Sequence, residues 1–207
     1  MKAPRVSDID EFRSPRAEGW SRIPGTRITL MPAPLPMQPT EYVRRAWEGR
    51  PYGQTAALEA TSVHDGRNLA LRVDWETRVA DSTGFPDAIA VAVPVRDVAP
   101  LILMGSADAP IHILRWQADR QGVRSLLATG IGRSAPGPVV ESTALAEADG
   151  NRRQLVVTRA LGGDGDVAPI EPGKPTRIGF ALWRGANGER AGIKAFSIDW
   201  TELALEA

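Results

Sequence analysis

Apolar and polar positions alternate through the middle of the chain. Leu69, Leu71, Val73 and Trp75 are interleaved with Ala70, Arg72 and Asp74, which predicts a strand with one buried face. The preceding stretch 58–64 has the same texture, and His64-Asp65-Gly66 lies between the two. Asp-Gly accepts the positive φ of a tight turn, so 58–75 reads as a β-hairpin. AIAVAVPV at 88–95 is apolar throughout, as expected of a strand covered on both faces. LILMG at 101–105 is another short apolar run, and residues 109–118, 153–161, 175–183 and 192–203 read as strands. GRSAPGPVVESTALAEADG at 132–150 reads as a long loop, in which ALAEADG could also form a helical turn. Residues 1–40 show little periodicity. RITLMP at 27–32 reads as an extended edge segment, and the four prolines of 31–39 exclude a helix interior. TEYVRRAWEG at 40–49 is the best helical candidate, with Thr40 to cap it and Gly49 to stop it. Frequent Gly and Pro between short alternating segments predict an antiparallel two-sheet β-sandwich with a few short helices, forming one domain over 1–207.

The last apolar stretch, GIKAFSIDW at 192–200, raises a chemical question. As a strand it puts Lys194, Phe196, Ile198 and Trp200 on one face. An ammonium in line with three large apolar side chains must snorkel to water, pair with a carboxylate, or act as a neutral donor to a metal. Holding a lysine neutral at pH 7 costs about 4.6 kcal/mol, and a metal–nitrogen bond can offset that where an apolar pocket alone cannot.

Composition sharpens the question. Only three lysines occur among 25 basic residues, so the chain uses arginine wherever plain positive charge suffices. Acidic and basic residues balance at 25 each, which argues against a nucleic-acid surface. There is no cysteine, which excludes disulfides, thiolate zinc sites, Fe–S clusters on this chain and thioether-attached haem. With two histidines, His64 and His112, a multi-histidine metal site is not expected. The N-terminus lacks the apolar stretch of a secretory signal.

Met104 is the second candidate. It ends an apolar run and precedes Gly105. Its thioether is either core filler or a soft ligand suited to haem iron. His112 and His64 are the alternative haem ligands, with His64 expected in a solvated hairpin turn. GGDGD at 162–166 lacks the spaced carboxylates of a calcium loop and the lysine of a phosphate loop, so it reads as a turn. No nucleophile elbow or paired-carboxylate spacing marks an active site. Six tryptophans would suit a haem-free carbohydrate-binding sandwich, provided they stand exposed in a row.

Taken together, MKAPRV, ALEATSVHDGRNLALRVDW, FPDAIAVAVPV, ILMGSADAPIHILRWQA and IGFALWRGANGERAGIKAFSIDW resemble, in order, the haem-binding γ subunits of ethylbenzene dehydrogenase and its relatives. Those relatives include dimethylsulfide dehydrogenase and the selenate and chlorate reductases. The resemblance implies a β-sandwich with one non-covalent haem b, its iron gripped inside the sandwich by Met104 of the MG element and Lys194 of the ER-x-G-x-K element. It further implies a molybdopterin-containing α subunit, an Fe–S β subunit and an external carrier such as a cytochrome c. The chain would then carry electrons and perform no substrate chemistry. The start at MKAPRV resembles the ethylbenzene-dehydrogenase type, whose complexes reach the periplasm folded, by co-export with the α chain. On that ground an anaerobic hydrocarbon hydroxylase is expected.

Overall fold

The computed structural model describes residues 1–77 and 84–207. Two sheets face each other. The smaller runs in the order Ser142–Asp149, Arg152–Ala160, Asn68–Glu76, Ala57–His64, Thr26–Thr29, with each neighbouring pair antiparallel. The larger sheet is built on Thr201–Leu205, Thr176–Trp183, Ala88–Pro94, Ile111–Gln117, Val123–Ala128 and Ser134–Pro136, again antiparallel. Lys2–Ala3 adds to its edge in parallel with Thr201–Leu205.

The predicted hairpin forms. Its turn is held by Asp65, whose Oδ1 accepts from the backbone N–H of Arg67 and Asn68 at 2.8 and 2.6 Å, with Gly66 at φ 90°. The helix spans Glu41–Trp47, and the Thr40 side chain accepts from Val43 N at its start, which meets one of the orphan donors of the first turn.

Leu69, Leu71, Val73 and Trp75 pack against Ile89, Val91, Val93, Leu114, Trp116, Phe180 and Leu182 to fill the space between the sheets. The outer face of the smaller sheet is covered by the N-terminal segment, where Ile9, Phe12 and Trp20 pack on Val63, Ala70 and Val156. The run 88–94 is buried along its whole length, as a strand covered on both faces requires. Its two faces differ, however. Ile89, Val91 and Val93 point into the inter-sheet core, whereas Ala88, Ala90 and Ala92 belong to a second apolar cluster with Leu101, Ile111, Ile113 and Trp183.

Several expectations are corrected. Stretch 192–203 is not one strand: Ala195–Phe196 and Thr201–Leu205 are separate, joined by a bend. Ala195–Phe196 pairs with one half of Thr176–Trp183 and also with Met31–Pro32, while Thr201–Leu205 pairs with the other half. The break lets a single long strand support two short ones. The 132–150 loop contains the strands Ser134–Pro136 and Ser142–Asp149. The latter is a mostly half-exposed outer strand whose small and acidic residues gave no apolar alternation to read. Val123–Ala128 is a further strand that the sequence reading passed over. The apolar run LILMG contains a 3₁₀ turn over Leu101–Leu103. His64 ends its strand fully buried, with its backbone bonded to Pro4 O and Val6 N. Burial, then the neighbouring Arg5 charge, pushes its pKa down.

Candidate functional site

The alanine-bearing face of the larger sheet opens into a cavity of about 630 Å³, within the size range of cofactor sites. Its floor follows from strand register. Phe196, Ala181, Ala90, Arg115 and Arg124 lie opposite one another on successive strands, forming one row across the sheet. The adjacent row holds Gly179, Ala92, Ile113 and Leu126. The short side chains at the centre of these rows leave a flat shelf between bulkier flanks. The helix Glu41–Trp47 and residues 187–194 form the opposite wall, with Tyr42, Val43 and Trp47 lining it. The cavity therefore lies on the outer face of the larger sheet. It is not inside the sandwich, because the inter-sheet space is filled by packed side chains.

Met104 and Lys194 both line this cavity, and Lys194 Nζ lies 3.7 Å from Met104 Sδ. The sequence placed them ninety residues apart on different elements, and the fold brings them face to face. Lys194 is 9% exposed. Its Nζ stands 5.3 Å from the Trp183 ring centroid, and no carboxylate forms an ion pair with it among the described residues. Burial first, then the Arg115 charge, pushes its pKa down to about 8. Its amine is thus far easier to deprotonate than an ordinary lysine.

Local structure explains the ER-x-G-x-K spacing. Glu189 is buried and accepts from Gly53 N, Asn187 Nδ2 and Arg184 N at 2.9, 3.0 and 3.0 Å, tying this loop to residue 53. A side chain at Gly192 would collide with Gln38, whose Nε2 donates to Gly192 O. Lys194 O accepts from Ala33 N at 2.9 Å. The lysine's backbone is therefore fixed from both sides before its side chain enters the cavity.

Met104 is fixed differently. It caps the Leu101–Leu103 turn with φ 59° and ψ 34°, a left-handed conformation that a non-glycine residue adopts only at a cost of about 1–2 kcal/mol. Its N–H bonds Leu101 O, its carbonyl accepts from Gly130 N, and any Cβ at Gly105 would press on Ala128 O and Ala109 O. Strain of this kind concentrates at functional positions, and here it aims the thioether at the lysine.

A second space of about 50 Å³ is also lined by Met104, Lys194, Leu101 and Phe196. Zinc–nitrogen and zinc–sulfur bonds of about 2.0 and 2.3 Å set the scale of a first-row metal between such donors. The observed gap falls about 0.6 Å short of that span. The donor set, the flat apolar shelf and the cavity size fit a haem, which Lys194 and Met104 would hold.

The other candidates lie elsewhere. His112 is buried, with Nε2 3.0 Å from Ser125 Oγ and Nδ1 accepting from Ala168 N. Burial, then Arg159, pushes its pKa down to about 4. Within residues 162–166 a bend at Asp164 leads into a turn at Gly165 and Asp166. No group of three metal-binding His, Cys, Asp or Glu side chains occurs among the described residues. Trp20, Trp47, Trp75, Trp116 and Trp183 are buried, and Trp200 is half-buried, with Nε1 bonded to Ala99 O. The exposed tryptophan row of a sugar-binding face is not formed. Sequence reading missed the alanine shelf, Arg115 and the helix wall. The small-large alternation of AIAVAV was the available signal for the shelf.

Over 197 residues the chain is 32% identical to the chlorate reductase subunit gamma of Ideonella dechloratans, covering 92% of this chain and 78% of that protein. The chain belongs to this γ-subunit family. It is also 28% identical to a putative respiratory nitrate reductase heme subunit of Haloferax mediterranei (92% of this chain, 67% of that protein). To the dimethylsulfide dehydrogenase subunit gamma of Rhodovulum sulfidophilum it is 27% identical (87% and 71%). No family model matches the chain. Among solved structures, a family 9 carbohydrate-binding module from Caldicellulosiruptor kristjanssonii in complex with glucose superposes with a TM-score of 0.60 at 11% identity, covering 100% of this chain and 95% of that one. A putative carbohydrate-binding protein from Bacteroides uniformis gives 0.56 at 10% identity, covering 100% and 98%. This chain thus shares the sandwich of these modules. At such identity the likeness concerns the fold alone.

Proposed function

We propose that this chain is a haem b electron-transfer subunit of a molybdenum oxidoreductase, with Lys194 and Met104 as the axial ligands. The observation that carries the reading is the buried amine nitrogen of Lys194 facing the thioether sulfur at 3.7 Å in a largely apolar cavity. When bound, the haem supplies a reversible one-electron carrier. The chain's residues do the rest. Lys194, once deprotonated, and Met104 would hold the iron with two neutral donors, which would leave oxygen no open site. The thioether favours the ferrous form and so raises the potential. The alanine shelf and the helix wall exclude water, and Glu189 and the Met104 turn hold the two donors in place.

The partners belong to the same proposal: a molybdopterin α subunit, an Fe–S β subunit and an external carrier such as a cytochrome c. Ethylbenzene-type hydrocarbon hydroxylation by the α subunit, and a periplasmic location reached by co-export with it, rest on the segment resemblance. Mass spectrometry of proteins co-purifying with the chain from a periplasmic fraction tests these points. Recovery of the chain alone, in the cytoplasm, would overturn them.

The central test is a visible spectrum of the purified chain with haem. A six-coordinate low-spin species with nitrogen and thioether ligation is expected, and failure to take up haem defeats the reading. Ala90→Leu is expected to keep the fold, because the added carbons extend into the cavity. It should weaken haem binding about tenfold, since they occupy space needed by the macrocycle. Titration followed by absorbance checks this.

A further inference from the structure

The cavity's charge is one-sided. Arg50, Arg115, Arg190 and Lys194 line it, and no aspartate or glutamate does among the described residues, in a chain where the two signs balance at 25 each. Arg50 and Arg190 are exposed and stack on Trp47 and Phe85 at 4.7 and 4.4 Å. Arg115 is different. It is half-buried at the end of the alanine row, with its guanidinium carbon 4.9 Å from the Trp183 ring centroid. Among the described residues its Nε is buried without a hydrogen-bond partner and no carboxylate forms an ion pair with it. Arg124 lies directly across the strand pair. Arg124 and Arg120 act on Arg115 more strongly than Asp119 does. A planar cation with uncommitted donors, oriented by an aromatic ring and surrounded by positive charge, is a receptor for a carboxylate.

We propose that Arg115 binds a carboxylate of the cavity's ligand and makes the cavity selective for an anionic porphyrin over its neutral ester. This inference rests on the haem reading above. It is tested by titrating the full chain, stripped of haem, with iron protoporphyrin IX and with its dimethyl ester, which keeps the macrocycle and caps both carboxylates. The wild-type chain is expected to prefer the free acid by about tenfold or more, the scale of a charge-assisted hydrogen bond. Arg115→Gln should lose most of that preference while its bound form keeps the wild-type axial spectrum. Arg115→Lys should retain part of it, because the charge survives and the fork does not. Arg50→Gln, which removes an exposed charge stacked on Trp47, should keep the preference for the free acid. Equal binding of acid and ester by the wild-type chain overturns the assignment, as does a preference that survives in Arg115→Gln or follows Arg50. Uptake of neither macrocycle would remove the haem reading itself.

Discussion

Lys194→Leu is expected to stabilise the haem-free chain at neutral pH and to abolish nitrogen ligation of the haem. The two effects have one cause. The folded chain holds a buried ammonium with no carboxylate partner among the described residues, and its pKa falls from 10.5 to about 8. The unfolded chain therefore binds more protons between those values, and folding stability rises with pH through that window. Below pH 8 the penalty is fully present, at about 3 kcal/mol. Leucine removes it, so the variant should exceed wild type by about that amount at pH 7 and by only about 1 kcal/mol at pH 9.5. Tyr52, whose pKa burial raises, is common to both proteins and cancels in the comparison. Urea unfolding of the haem-free proteins at the two pH values measures the difference. With haem, leucine offers no donor atom. The loss in affinity should exceed the 10–100-fold typical of residues that only support a ligand, and any bound haem should show a changed spectrum. Equal stability at both pH values would mean that the amine reaches water. An unchanged holo spectrum would remove Lys194 from coordination.

Much of the fold was legible because period-two patterns depend on local geometry alone. The Asp65-Gly66 turn, the buried face of 69–75 and the doubly covered run at 88–94 all follow from side-chain alternation and turn chemistry. Ser142–Asp149 was not legible, since it has one sheet neighbour and little of it is buried. The site was legible only in part. Parity put Lys194 on the same face as Phe196, and both line the cavity. Parity does not say which face meets the other sheet and which meets a ligand. That depends on register between distant strands. The row from Phe196 through Ala181 and Ala90 to Arg115 exists only once four strands are aligned. The sandwich was therefore expected to enclose the haem, whereas the cavity sits on its outer face.

The likeness to carbohydrate-binding modules follows the same logic. A sandwich supplies two rigid faces, and function is set by what those faces present. Here one outer face presents alanines, Met104, Lys194 and arginines that form no ion pair among the described residues, while the tryptophans are mostly consumed in packing. Such a surface suits a flat anionic macrocycle whose metal accepts a thioether better than a sugar ring, whose recognition needs exposed aromatic planes.

Met104 provides the other large effect, and a comparison of two substitutions separates its two roles. Met104→Ala and Met104→Gly both delete the thioether. In either, the haem spectrum should change, and the reduction potential should fall by on the order of 100 mV, within the range that axial ligands span. Their stabilities should differ in an unusual order. Glycine in place of alanine ordinarily destabilises by about 0.5–1 kcal/mol. At φ 59° the left-handed penalty of about 1–2 kcal/mol applies to alanine and not to glycine. The glycine variant should therefore be the more stable of the pair by about 1 kcal/mol, as measured by denaturant unfolding of the haem-free chains. If alanine proves the more stable, the turn is not strained as described. If both variants keep the wild-type potential and spectrum, the sulfur does not reach the iron. The two readouts are independent, because the strain belongs to the backbone of the Leu101–Leu103 turn and the potential belongs to the atom that the turn delivers.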